Sequence, residues 1–215
     1  TDLALIVLDA RDPAAGEAAL GDAVAGVPHK VYIHNKSDLL KAMPALDDPN
    51  FFRSVTMVLQ HDQDGAMGLV VNLPSDFSLG EMLAQMQLPT IDLVLASQDV
   101  LAGGPVQPDR GFVLHDDVRD WPSTLRLANG LAVTTSREIL ESMARGDGPA
   151  RQLVALGYAG WEAGQLEDEL AANSWLTVPA EKAVLFDTPM AGRWHAAARC
   201  LGVDIEHLAD YAGHA

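Results

Sequence analysis

A single cysteine, Cys200, excludes an internal disulfide and a cysteine-built zinc site, and suits a reducing compartment. Basic residues are scarce: 14 Lys and Arg stand against 30 Asp and Glu, a formal charge of -16. Nucleic-acid affinity rests on neutralising phosphates with cations, so no direct nucleic-acid partner is expected. The nearest approach to a basic patch, Arg137, Arg145 and Arg151, is interleaved with Glu138, Glu141 and Asp147, as on a solvated helix face. No apolar run reaches the roughly 18 residues that would span a bilayer, and no basic n-region precedes an apolar h-region. No membrane segment is expected, and the cytoplasm is the expected location. The seven histidines form no H-x-H or H-x3-H pair and no HExxH, so no metal centre is expected. Neither G-x-S-x-G nor a Cys-His signature occurs, and nothing calls for a cofactor.

What is present is an ordinary globular composition, 48% hydrophobic and 20% charged, in 215 residues. That is enough for one good core, or for one domain with an appendage. Leu3–Asp9 and Lys30–His34 read as apolar strands on either side of an Ala-rich helix from Ala14 to Ala25, a βαβ unit. The pattern changes after Asp38, where a module boundary is placed. Beyond it, Phe52–Gln60 and Gly68–Asn72 read as a hairpin about His61–Gly65, and Ser78 with Glu81 as a capping box. Ile91–Ala96 reads as a strand and Gly111–His115 as a stronger one. Asn129-Gly130 joins two further strands, and Ser136 to Gly146 bounds a helix. Strand Arg151–Tyr158, helix Gly164–Asn173, strand Trp175–Pro179 and a last helix over Arg193–Leu201 complete the reading. Cys200 is expected as a small buried hydrophobe of that last helix.

Several residues invite a chemical reading beside a structural one. His61 and His115 each end a strand next to an acid, Asp62 and Asp116, either as parts of a composite site or as polar turn residues. Thr134-Thr135-Ser136-Arg137 is a hydroxyl cluster at a strand-to-helix junction, either an anion site at the helix N-terminal amides assisted by Arg137 or an N-cap with local bonds. Gly103-Gly104-Pro105 through Arg110-Gly111 concentrates residues that specify the backbone closely. It suits either a ligand contact with Arg110 as its charge or a structural crossover. Gly157 to Gly164, with Tyr158 and Trp161, suits either an aromatic binding face or close packing.

Asn35-Lys36-Ser37-Asp38 has the N-K-x-D form that reads guanine, and residues 1–38 resemble the later part of the GTPase domain of the tRNA-modification GTPase family MnmE/TrmE. That resemblance implies guanine contacts from Asn35, Lys36 and Asp38. The P-loop and D-x-x-G are missing, so GTP hydrolysis is not implied and the segment reads as a fragment or fusion.

Residues 39–215 resemble the YqgE/AlgH family through Ala42–Phe51, Gly65–Asn72, Gly103–His115, Leu131–Arg137 and Leu156–Leu170. The resemblance implies an α+β fold, a bifurcated mixed sheet forming a pseudo-barrel with packed helices, here preceded by the short βαβ segment. It also implies a non-enzymatic regulatory or binding protein, since some members are labelled transcriptional regulators linked to alginate production. The acidic charge makes any such regulation indirect, through an unknown protein or small-molecule partner. His61, Asn72, Gly103, Gly104, Arg110, His115, Thr135 and Arg137 are its candidate contact residues. Two alternatives stay open: an enzyme built from His61, Arg110, His115 and Thr135, and residual guanine-nucleotide binding linked to tRNA modification.

Overall fold

The computed structural model describes residues 54–127, 130–172 and 174–200, together with the backbone of strands 3–6 and 29–33. Strands β1 (Leu3–Ile6) and β2 (His29–Ile33) pair in parallel, with Leu3 opposite His29. The helix expected between them, and Asn35, Lys36 and Asp38, lie outside the described residues.

The main sheet begins with the expected hairpin, β3 (Val55–Asp62) and β4 (Gly65–Val70). Pairing continues to Asp62 opposite Gly65, so His61 belongs to the strand and not to the turn. The tighter turn is closed by Asp64, whose N–H donates to Asp62 Oδ1 at 2.9 Å, and by Gly65 at φ +134°. β5 (Pro74–Ser78) then leads into helix α1 (Leu79–Gln85) through a complete capping box. Glu81 N–H donates to Ser78 Oγ, and Glu81 Oε2 accepts from Ser78 N–H at 2.8 Å.

Where Ile91–Ala96 was expected to be a strand, Leu93–Ala96 forms a one-turn helix, α2. The branched residues suggested a strand, but Asp92 Oδ1 accepts from the N–H groups of Val94 and Leu95 at 2.9 and 3.1 Å. A local side-chain cap thus overrides a weak strand propensity.

β6 (Asp99–Ala102), β7 (Val106–His115), β8 (Thr124–Arg126) and β9 (Ala132–Thr134) precede helix α3 (Arg137–Ala144) and the long strand β10 (Gln152–Glu162). The chain ends, among the described residues, with α4 (Gln165–Ala171), β11 (Leu176–Val178), a π-helical turn Ala183–Asp187, a 3-10 turn Met190–Gly192 and α5 (Arg193–Arg199). β11 lies antiparallel on β2.

β10 organises the sheet. One of its edges pairs antiparallel with β7, while the other pairs with β6 through Ala155 and Leu156 and with β4 from Ala159 to Glu162. The strand order is β3-β4-β10-β7-β9-β8, a curled, mainly antiparallel sheet with helices against it. Because side chains alternate along a strand, its apolar runs supply two cores at once. Phe112 and Leu114 face one cluster with Met57, Leu69, Trp194 and Ala197, and Val113 faces another with Leu83, Val100, Ile139 and Val154. A third cluster joins Val58, Trp161, Leu166 and Trp175, with Trp161 and Trp175 in edge contact at 5.8 Å. Glu169 Oε2 accepts from both indole N–H groups, at 2.9 and 2.6 Å, which fixes the pair. The Gly157–Gly164 segment therefore serves packing.

Cys200 departs from expectation. It lies just past α5 and is exposed, with Sγ 3.4 Å from the carbonyl of Ala196. Partial burial of the sulfur, with Glu181 near, still holds its thiol above the usual value.

Candidate functional site

His115, at the end of β7, is fully buried. Its Nδ1 accepts from the N–H of Asp117 at 3.2 Å, which makes Nε2 the protonated nitrogen. Nε2 donates to Thr134 Oγ1 at 2.9 Å, Thr134 lies 2.6 Å from Thr124 Oγ1, and Thr124 donates to the carbonyl of Trp121 at 2.8 Å. Every proton in this relay has an acceptor. Burial pushes the imidazole below its ordinary value, and Asp117 only partly offsets that effect. His115 is thus a neutral, satisfied core histidine that ties β7, β9 and β8 together.

The loop after it is pinned by two arginines. Arg119 pairs with Asp117 at 2.6 Å, donates to the carbonyls of Asp147 and Gly148, and lies 4.7 Å from the Trp121 ring. Arg126 donates to the carbonyls of Asp117, Val118 and Arg119. Asp116 pairs with Arg151 and lies 3.7 Å from Lys182.

Gly103 and Gly104 answer a packing need. A Cβ on Gly104, at φ +150°, would sit 2.2 Å from the Tyr158 backbone, and one on Gly103 would sit 2.4 Å from the Gly157 carbonyl oxygen. The two chain segments can cross only without side chains. From there β7 runs outward as an arm: Gln107, Pro108, Asp109 and Arg110 are exposed, and pairing resumes at Gly111 opposite Leu156. Gln107 sits at φ +48°, a region that side-chain-bearing residues seldom adopt. Arg110 donates to Gln107 Oε1 at 3.3 Å and lies 5.3 Å from the Phe112 ring, which in turn meets Tyr158 edge-on at 5.9 Å.

The remaining candidates are dispersed. His61 pairs with Glu167 at 2.7 Å, beside the far end of β10, since His61 is opposite Ala66 and Ala66 opposite Trp161. His115 is opposite Gln152, nine residues back along β10, so the pairing positions of the two histidines are separated by roughly 30 Å of strand. Thr135 donates its N–H to Ser123 O at 3.2 Å. Arg137 pairs with Glu141 at 3.0 Å and donates to the carbonyl of Met86, closing the end of α1. Ser136 occupies the N-cap of α3 without a capping side-chain bond. Asn72 Oδ1 accepts from the N–H of Val55 at 2.6 Å, locking the start of β3. His61, Arg110, His115 and Thr135 therefore form no common site. Among the described residues no group of three His, Cys, Asp or Glu could hold a metal ion.

One cavity was not anticipated from the sequence. It holds about 400 Å³ between the Ser97–Leu101 segment, the start of β10 and the Phe186–Arg193 segment. Arg193 lines it at 6% exposure, and burial pushes its guanidinium down to about 10. Its Nε donates to Thr188 O at 3.2 Å and its Nη1 to Val71 O. Arg151 lines the same cavity. A signal existed: Arg193 shares the i, i+4 stripe of α5 with buried Ala197, a charged residue on the apolar face of a short helix.

Residues 39–206 match the model of the AlgH-like family, DUF179. The chain belongs to the AlgH-like family. UPF0301 proteins of Xanthomonas campestris pv. campestris are 58% identical over 179 residues, covering 83% of this chain and 95% of theirs. The UPF0301 protein of Xanthomonas axonopodis pv. citri matches to the same degree, 58% over 179 residues, 83% of this chain and 95% of its own. The solution structure of the AlgH protein from Pseudomonas aeruginosa superposes with a TM-score of 0.69 at 47% identity, covering 87% of this chain and 95% of that one. A crystal structure from Corynebacterium diphtheriae, 18% identical with a TM-score of 0.61 over 81% of this chain and 86% of that one, shares the fold. The AlgH-like match begins at residue 39, and the GTPase resemblance of residues 1–38 gains no support from these relatives. Among the described residues no helix is long and apolar enough to cross a membrane.

Proposed function

We propose that this AlgH-like protein is a non-enzymatic regulatory or binding protein, whose contact surface is the exposed arm of β7 from Val106 to Gly111. The observation that carries this reading is Gln107. An uncommon backbone conformation is held there at an exposed residue, with Arg110 positioned over Phe112 beside it. The backbone on either side of Gln107 passes close to Gly157, where the register with β10 shifts, and the Gln107 side chain itself is left exposed, which suits recognition. The enzyme alternative loses its support with the nine residues of β10, roughly 30 Å of strand, between the pairing positions of His61 and His115, and with the closed relay around His115. The excess of acid over base favours an indirect regulatory effect in the cytoplasm, through a protein or small molecule, over contact with nucleic acid. The fork of the sheet at β10 supports the bifurcated, pseudo-barrel form, and a module boundary near Asp38 rests on the family match from residue 39, with β2 pairing to β11 across it. The test compares affinity capture by wild-type protein and by Arg110→Glu, quantified by mass spectrometry. A partner enriched on wild type and lost from the variant is expected; identical captures would overturn the assignment of the surface.

A further inference from the structure

We propose that the cavity between β6, the start of β10 and α5 binds a small organic oxyanion, a carboxylate or phosphate group on a small body, with Arg193 receiving the charged end. Arginines are seldom buried without a carboxylate, because a desolvated cation needs a compensating charge. Arg193 is buried at 6% exposure, yet among the described residues no carboxylate forms an ion pair with it. Its two hydrogen bonds go to neutral carbonyls, of Val71 and Thr188. These occupy two of the five guanidinium N–H groups and leave the charge unneutralised.

The two bonds also fix the plane of the fork, so the remaining donors are organised in advance. A planar fork of this kind matches the two oxygens of a carboxylate or phosphate. The cavity supplies room for the rest of such a molecule, since about 400 Å³ lies within the usual range for ligand pockets of roughly 300–1,000 Å³.

Its walls divide by chemistry. Most of the exposed wall is polar, with hydroxyl and amide groups from Ser97, Gln98 and Gln152, and Leu101, Phe186 and Met190 add a smaller apolar patch. Arg151 adds a second cation, shared with Asp116. Asp99 lines the same space, which disfavours a polyanion and points to a single oxyanion head. None of the residues from Val106 to Gly111 lines this cavity, so the inference stands apart from the contact surface on β7.

The test follows the ¹⁵N-labelled full chain by NMR during titration with benzoate, phenyl phosphate and phenol, three molecules with one ring and different heads. Saturable shifts are expected at the Arg193 side-chain Nε–H and at the amides of Gln152, Leu153 and Val154. Phenol should bind about tenfold more weakly, the worth of one charged hydrogen bond. Binding of benzoate alone identifies a carboxylate head, and of phenyl phosphate alone a phosphate head. Ala150→Trp, at an exposed position on the lining, should abolish the shifts while leaving Arg193 and the fold untouched. Arg193→Lys should weaken binding by about tenfold through loss of the fork. Shifts absent from these groups with both anions, phenol binding as tightly, or unchanged binding to the Ala150→Trp variant would each overturn the proposal.

Discussion

Replacing Thr134 with valine keeps the shape of the side chain and removes the hydroxyl through which His115 and Thr124 meet. In the wild type, Nε2–H of His115 donates to that hydroxyl at 2.9 Å, inside a sheet where His115 and Thr134 are both fully buried. The variant leaves a buried donor without an acceptor, which costs about 1–3 kcal/mol. Thr124 keeps the Trp121 carbonyl as its acceptor and adds little to that loss. Urea unfolding at pH 7.5 measures the difference directly, as a lower midpoint at unchanged slope. The same geometry sets a pH dependence. Burial disfavours the charged imidazole and holds its value in the folded state below the ordinary 6.5, and a proton on Nδ1 would also face the N–H of Asp117. Between those two values the unfolded chain binds more protons than the folded one, and stability rises with pH. The contribution is complete above about 6.5 and is lost progressively as pH falls toward the lower folded-state value. His115→Asn cannot titrate and should remove this part of the slope between pH 7.5 and 5. Thr134→Val as stable as wild type, or a His115→Asn variant with an unchanged slope, would refute the relay.

Three further outcomes follow from the packing. Gly104→Ala should fail to fold or lose several kcal/mol, because its Cβ would meet the Tyr158 backbone at 2.2 Å, whereas Gly111→Ala, with nothing within 4 Å, should stay within about 0.5 kcal/mol of wild type in thermal melts. Glu169→Gln replaces the carboxylate that two indoles share, and should cost about 1.5–3 kcal/mol with a change in tryptophan fluorescence on the native baseline. Cys200 should react with a thiol reagent in native protein, slowly at neutral pH and faster as pH rises, since its thiol is exposed but held above its usual value.

What was legible in the sequence was local. The Ser78–Glu81 capping box, the hairpin of β3 with β4, and the β8–β9 pair around Gly130 each depend on residues a few positions apart. Ile91–Ala96 misled because branched side chains suggest a strand, while the deciding contact was one carboxylate, Asp92, on two amides. Cys200 was misplaced because α5 ends at Arg199, one residue before it. The site residues required distant partners. Nothing near His115 in sequence announces Thr134, 19 residues on, and nothing near Arg193 announces Val71, 122 residues back. The family resemblance agrees with the match over residues 39–206, yet what brings Gly103–Gly104 against Gly157–Tyr158 is a crossing of backbones that only the folded chain contains.

The central claim, that the exposed arm of β7 is where this AlgH-like protein meets its partner, is tested most directly by a photo-crosslinking residue placed at Gln107, with the same residue at exposed Asp168 on α4 as control. A discrete adduct from position 107 and none from position 168, after irradiation in cells, is the predicted result. Adducts of the same pattern from both positions, or from neither, would contradict it.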